Sequence, residues 1–250
     1  MRNLPTIARR ELAAYFFSPI AYVVLTLFLL VQGYTFWLFA SFLSQPNAPR
    51  MSMFQFFFGG TFLFWMMLIF VVSALTMRLV AEERRTGTIE TLLTAPVTDV
   101  EVIVGKFLGA WLFYAFLWAP TLIYVFVMKS YSPTGAGPDT GPVAAGYLGT
   151  LLVGGSFVAV GLLASTVTRN QIVAAVLSFV ILSLLLLVGI LDLFAQDPTW
   201  RALIKHVNLF EQMETFSRGI VDTRHLVFHG SIIALALFSA VRVLERKKGL

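Results

Sequence analysis

The sequence predicts an all-α, polytopic membrane protein. Three observations carry that prediction. The 250-residue chain is 58% hydrophobic and 12% charged, against roughly 25% charged in an ordinary soluble domain. Its mean hydropathy is +0.83. Uncharged apolar runs recur along it, each reaching ~20 residues, the length that crosses hydrocarbon at ~1.5 Å per residue. Read as one domain, 1–250, the chain holds six transmembrane helices.

Residues 1–18 are short and basic, with Arg2, Arg9 and Arg10. Pro5 suits a first helical turn. Leu4, Ile7, Tyr15 and Phe16, with the arginines, predict a helix lying in the membrane interface. The apolar run that follows is too long for a signal peptide and has no small-residue cleavage site. Pro19 then redirects the chain into a first span, Ile20 to Leu43. The second runs from Phe54 to Met77. The third runs from Val102 to Met128 and is kinked at Pro120. Tyr131 to Pro142, rich in Gly and Pro, reads as an exposed loop. Val143 to Thr168 and Gln171 to Phe194 are the fourth and fifth spans, joined by a tight turn at Arg169-Asn170. A mixed, charged segment, 195–224, precedes the sixth span, His225 to Val243.

Orientation follows from Lys and Arg. The side holding the N-terminus collects Arg2, Arg9, Arg10, Arg78, Arg84, Arg85, Lys106, Arg169, Arg242, Arg246, Lys247 and Lys248. The other collects Arg50, Lys129, Arg201, Lys205, Arg218 and Arg224. The first set is twice the second, so both termini and the 78–101 segment are expected in the cytoplasm. The net charge of +5 is thereby a matter of membrane orientation and not of nucleic acid. The chain has no cysteine, which excludes disulfides, thiolate metal sites and cysteine nucleophiles.

The densest charge lies in Glu82-Glu83-Arg84-Arg85, and a short helix signal follows it. Thr86-Gly87-Thr88 offers N-cap residues, and Glu90 puts a carboxylate in the first turn, where the helix dipole favours it. Ile89, Leu92 and Leu93 share one face. Pro96 ends the element. About two turns of helix do not hold together alone in water. The apolar face therefore needs a receiver, and a groove on a separate cytoplasmic protein is a standard one.

The stretch Glu82 to Val97, running into Gly105-Lys106-Phe107, resembles the cytoplasmic loop of ABC-2 type transporter permeases. Arg10 to Tyr22 resembles that family's entry into its first span. Phe216-Ser217-Arg218-Gly219-Ile220-Val221-Asp222 resembles the region before its last span. The likeness is closest to the gliding-motility (GldF-like) permeases and keeps its order along nearly the whole chain. It implies that 78–101 carries a coupling helix seated in a cleft of an ABC ATPase subunit. Glu83, Thr88, Ile89, Glu90, Leu92, Leu93 and Pro96 are the contact positions. It implies two ATPase copies, hence a second permease chain, a homodimer or a paralogue. ATP and magnesium would sit on the ATPase, in a bacterial inner membrane. It also makes 195–224 a helical, re-entrant outer gate containing Phe210, Phe216, Arg218 and Gly219. An extracytoplasmic accessory protein is a further implied partner.

The remaining candidates carry less. Gly105-Lys106 is not a phosphate-binding loop, because Phe107 follows it and Val100 stands where the first glycine is needed. Lys106 reads as a cationic anchor at the headgroups. His225 and His229 share a face, but no third metal ligand is evident. Asp192 is the one acid at membrane depth, and it lies near a helix end. Gly105-x-x-x-Gly109 and Ala174-x-x-x-Ser178 permit close helix approach. The function expected is a non-catalytic permease subunit driven by a separate ATPase. The alternative is a mechanical or scaffold subunit acting on extracytoplasmic partners. A proton-coupled carrier would want acids deeper in the spans than Asp192.

Overall fold

A computed structural model describes residues 3–45, 52–88, 97–131, 137–193 and 197–246. The chain is all-α, and no strand occurs among the described residues. Six helical segments are long and apolar enough to span a bilayer: Pro19–Leu43, Phe62–Thr86, Asp99–Tyr131, Thr140–Val167, Gln171–Asp192 and Thr223–Arg246. They correspond one to one with the spans read from sequence.

The first helix, α1 (Leu4–Phe16), leads through Ser18 into α2 (Pro19–Leu43), whose proline occupies the first turn, where no backbone donor is needed. The second span is broken near its start. A short α3 (Met53–Phe57) is followed by Gly59, at φ 77°, before α4 (Phe62–Thr76) begins. Trp65 explains the break, because its indole N–H donates to the Gly59 carbonyl at 3.0 Å. Next come α5 (Ala81–Thr86) and α6 (Asp99–Trp118). A capping box opens α6 three residues earlier than the apolar run suggests. Thr98 Oγ1 accepts from Glu101 N at 3.3 Å, and Glu101 Oε2 accepts from Thr98 N at 3.1 Å. At Pro120 the helix tightens into a 3-10 turn, Ala119–Leu122, and resumes as α7 (Ile123–Tyr131). The missing proline donor accounts for the expected kink.

The hub of the bundle is α8 (Thr140–Val167). It and α4 are buried along most of their length, whereas α2, α9 (Gln171–Val188) and α12 (Thr223–Arg246) keep most of their surface outward. Lipid is as apolar as leucine, so helices in it associate by close packing and hydrogen bonds. Gly154 of α8 accepts the ring of Tyr114, and a methyl group there would lie 2.1 Å from that ring. The Tyr114 hydroxyl donates to the Thr150 carbonyl at 3.1 Å. Ala174 and Ser178, the small pair of α9, are fully buried, and Ser178 Oγ meets Ser73 Oγ of α4 at 3.3 Å.

The segment between α9 and α12 is helical, as expected. A 3-10 turn, Gly189–Leu193, carries Asp192, and α10 (Pro198–Val207) and α11 (Leu209–Ser217) follow. The buried face of α11, Leu209, Gln212, Met213 and Phe216, packs back onto α8 and α3.

One finding departs from the sequence reading. Ile7 and Tyr15, read as a face toward lipid, are buried against α6. The reason is the pair Gly105 and Gly109. A Cβ on Gly105 would lie 2.7 Å from Ile7 Cγ2, and one on Gly109 would lie 2.6 Å from Glu11 Cβ. The two helices touch where side chains are missing. Gly109→Val is therefore expected to push α1 off α6, an overpacking cost of about 1–3 kcal/mol. Hydrogen exchange checks it: amides of residues 4–16 should exchange faster while those of α8 do not.

Candidate functional site

At the end of the bundle that holds the N-terminus, α1, α5 and the first half of α6 enclose a cleft of about 790 Å³. Its lining is charged: Arg10, Glu11, Arg78, Glu82, Glu83 and Lys106, with Tyr15, Thr86 and Thr88. Two local features place these groups. Ser165 of α8 reaches over to cap α5, its Oγ accepting from Val80 N and Ala81 N at 3.1 Å each while donating to the Met77 carbonyl at 3.2 Å. Helix α5 then carries Glu82 and Glu83 in its first turn and Arg84 and Arg85 in its last, the signs that its dipole favours. Arg84 also donates to the Thr166 carbonyl of α8.

The centre of the site is Lys106. Its side chain is 1% exposed, with Nζ 2.7 Å from Glu83 Oε1 and 3.0 Å from Glu11 Oε1. Arg10 completes the cluster, 2.9 Å from Glu11 and 3.6 Å from Glu83. The lysine is thus not a headgroup anchor. Burial forbids a lone ammonium, so it takes two carboxylates from two other helices. Glu83, expected as a partner contact, faces inward to this cluster on one side and lines the cleft on the other.

A second set of bonds secures the elbow between α1 and α2. The Tyr15 hydroxyl donates to the Leu75 carbonyl at 2.8 Å, and its ring stacks on Phe113 at 4.8 Å. The Arg78 guanidinium lies over that ring, 5.1 Å from its centre, and donates to Ser18 Oγ. Burial pushes the Tyr15 phenol above its ordinary pKa, with Arg78 opposing the shift.

Of the positions expected to meet a partner, Ile89, Glu90, Leu92, Leu93 and Pro96 lie outside the described residues. Thr86 and Gly87 are described, and they correct the capping expectation. Thr86 is the last residue of α5, and Gly87, at φ 74°, is its left-handed C-cap. Thr88 folds back, its hydroxyl 2.9 Å from that of Thr86 and 3.4 Å from the Glu83 carbonyl. Thr88 thus sits on the rim of the cleft, next in sequence to the 89–96 segment.

The residues named for the opposite end are brought together only in part. Phe210 packs edge-on against Trp65, ring centres 5.2 Å apart. Phe216 is fully buried, its ring set against Gly149. Gly219, at φ 85°, turns the chain beside Pro142. Arg218 instead faces outward and pairs with Glu214. Asn208 anchors the segment, its Oδ1 accepting from Phe210 N at 3.0 Å and its Nδ2 donating to the Gly189 carbonyl at 3.4 Å. Of the two histidines, His229 is buried, with Nδ1 3.0 Å from Ser156 Oγ. Among the described residues no cluster of three metal-ligating side chains occurs.

The sequence reading missed Glu11 as a partner of Lys106, and Arg10 as a second cation on the same carboxylates. A signal was present, because Glu11 is the only acid in the first 81 residues. A lone acid ahead of two apolar spans asks for a partner.

The cleft's ion cluster ties α1, α5 and α6 together. A family model described as ABC-2 family transporter protein matches residues 6–216, from within α1 to within α11. The chain belongs to that family. A search of curated proteins finds no match. Members of that family are typically transmembrane permease subunits of ABC transporters.

Lys106→Met tests the cluster. It removes the buried cation and leaves Glu11 and Glu83 sharing only the more exposed Arg10, a loss of up to about 3 kcal/mol, the low end for a broken buried pair. Thermal unfolding of the purified chain should show the drop, and adding Glu83→Gln should recover part of it. Additive losses in that double variant would mean that the two groups are not coupled.

Proposed function

We propose that this chain is the permease subunit of an ABC-2 exporter in a bacterial inner membrane, moved by a separate ATPase that docks at the charged cleft. The observation that carries the reading is continuity. Thr88 sits on the cleft rim, and five residues earlier Glu83 is bonded to buried Lys106. A displacement of the 89–96 segment is therefore delivered to α5, and through Lys106 and Glu11 to α6 and α1. Ser165 carries the same displacement to α8. Ile89, Leu92 and Leu93 would enter a groove on the ATPase, with Glu90 and Pro96 flanking them. ATP and magnesium stay on that partner. Two ATPase copies call for two permease chains, and the excess of Lys and Arg on the cleft side supports both termini in the cytoplasm.

A second reading has its own support. At the opposite end α10 presents Trp200, 65% exposed, and the last turn of the same helix lines a cleft of about 360 Å³ with Lys205 and His206, facing Glu211, Asp222, Arg224 and His225. An exposed tryptophan beside mixed charge suits a protein partner. In this reading, close to the gliding-type resemblance, the subunit transmits ATP-driven motion to an extracytoplasmic protein without bulk transport. Sealed vesicles separate the two readings: ATP turnover with solute accumulation favours the exporter, and turnover with partner capture alone favours the scaffold.

Replacing both Leu92 and Leu93 by Asp tests the docking directly. The chain is expected to insert normally and to lose its ATPase on co-purification. Retention of the ATPase at the wild-type ratio would rule out that helix as the contact.

A further inference from the structure

His229 is the one fully buried imidazole of the bundle, about 9 Å along α12 from the start of that helix at the usual rise. Ser156 of α8 faces it, and the direction of the bond between them is fixed. The Ser156 hydroxyl donates to the Val153 carbonyl at 2.7 Å, which uses its single proton. Its oxygen therefore accepts from His229 Nδ1, 3.0 Å away. With Nδ1 carrying the proton of the neutral imidazole, Nε2 is a bare lone pair. That nitrogen is buried and meets no hydrogen-bond partner among the described residues.

One turn nearer the end of the helix, His225 shares the same face and lines the outer cleft. Water in that cleft therefore comes within about one helical turn, ~5 Å along the axis, of His229. Lys205 and His206 from α10, Glu211 from α11, and Asp222 and Arg224 beside it face His225. Around His229 such groups stop. Its only titratable neighbour among the described residues is His225. Helix α8 carries no Asp, Glu, Lys, Arg or His. Helix α6 keeps Asp99, Glu101 and Lys106 near its start, at the other end of the bundle. The seam between α8 and α12 is close: a Cβ on Gly155 would lie 3.4 Å from Ile233 Cδ1.

We propose that His229 Nε2 is a proton-binding site filled from the outer cleft, and that filling it opens the seam between α12 and α8. The proton leaves a hydronium ion in cleft water and forms an N–H bond at Nε2, so that the imidazole becomes imidazolium. The bond to Ser156 survives, because Nδ1 still donates. What the closed seam does not accommodate is a charge without a carboxylate and a second donor without an acceptor. Moving α12 outward brings the ring toward cleft water and toward Glu211 and Asp222. The closed seam excludes the proton and the open seam takes it. Acid therefore favours the open seam, from about pH 6.5 downward, where an exposed imidazole charges. That the proton comes from outside the cell rests on the membrane orientation proposed above.

The test uses the full chain in mild detergent, where both faces meet the buffer, so it stands or falls independently of orientation and of ATPase docking. The chain has no native cysteine, so Leu148→Cys on α8 and Val227→Cys on α12, both exposed positions, take one spin label each. With His229 intact, the ratio of the longer to the shorter label distance is expected to rise by up to about tenfold from about pH 6.5 to about pH 5.5, the slope of one proton. His229→Asn keeps a donor for Ser156 and does not titrate, so its distances should not respond to pH. Nitrogen NMR of the three imidazoles reads the tautomer, with His206→Gln and His225→Gln assigning His229 by elimination. His229 should carry its proton on Nδ1 at about pH 7.5 and on both nitrogens at about pH 5.5. Distances that do not change with pH while His229 is intact would overturn the proposal, and that arm needs no histidine variant to fold. So would a proton on Nε2 alone at about pH 7.5, or a distance change that persists in His229→Asn, which would place the response in the cleft histidines.

Discussion

A buried ammonium group organises the end of this molecule where force would enter. Lys106 is enclosed, and a charge taken out of water is tolerated only with close counter-charges. Those counter-charges come from Glu11 on α1 and Glu83 on α5. Each can reach the lysine only if its helix lies close to α6. On the α1 side the gap is closed by Gly105 and Gly109, which bracket Lys106 and let the α1 backbone come to within touching distance. On the α5 side it is closed by Ser165, which caps α5 from α8. Charge, glycine seam and cap are one arrangement, and each part fails without the others.

That arrangement is continuous with the rest of the bundle through α8. From Ser165, at the ion cluster, to Gly149, under Phe216, is about 24 Å of uninterrupted helix at the usual rise. Between them Gly154 takes Tyr114, Ser156 pairs with His229, and Gly161 sits against Thr76 and Ser178. Rings fill the places where glycines stand, and hydroxyls answer hydroxyls. Packing of this kind is stiff, because a close-packed interior transmits a displacement and does not absorb it. The outer helix α11 rests on the far end of the same rod.

The spans were legible in the sequence because the bilayer imposes one crude rule, a run of apolar residues of sufficient length, and each run found its helix. The kink at Pro120 and the helical character of 195–224 were legible for similarly local reasons. The ion cluster was not. It joins residues 11, 83 and 106, which no periodicity relates. Lys106 beside a span looks the same in sequence whether its ammonium meets headgroups or carboxylates. Gly105-x-x-x-Gly109 was visible but uninformative, since a small-residue pair names no partner. Thr86-Gly87-Thr88 was read as the start of one helix, whereas Gly87 closes another. Glycine with a positive φ serves either end of a break, and only the backbone of α5 decides between them.

The geometry also says where the molecule can bend. Helix α1 is held at two points, Glu11 on Lys106 and Tyr15 on Leu75, with Arg78 over the Tyr15 ring and bonded to Ser18. Its far end is the elbow into α2. A push on α5 therefore reaches α2 through bonded groups, without passing through a flexible loop. Helices α9 and α12 stand differently. Helix α12 attaches chiefly along α8 and α9 along α8 and α4, mostly by small and apolar side chains with one buried polar contact each, His229 on Ser156 and Ser178 on Ser73, and both keep most of their surface outward. A joint made of charge pairs and short hydrogen bonds is directional, whereas a smooth apolar contact in lipid can slide. Motion imposed at the cleft should therefore carry α1, α2, α4, α5 and α6 together with α8, which Ser165 and Arg84 tie to α5, and be taken up at the sparsely bonded seams of α9 and α12. The division follows from the kinds of bond at each seam.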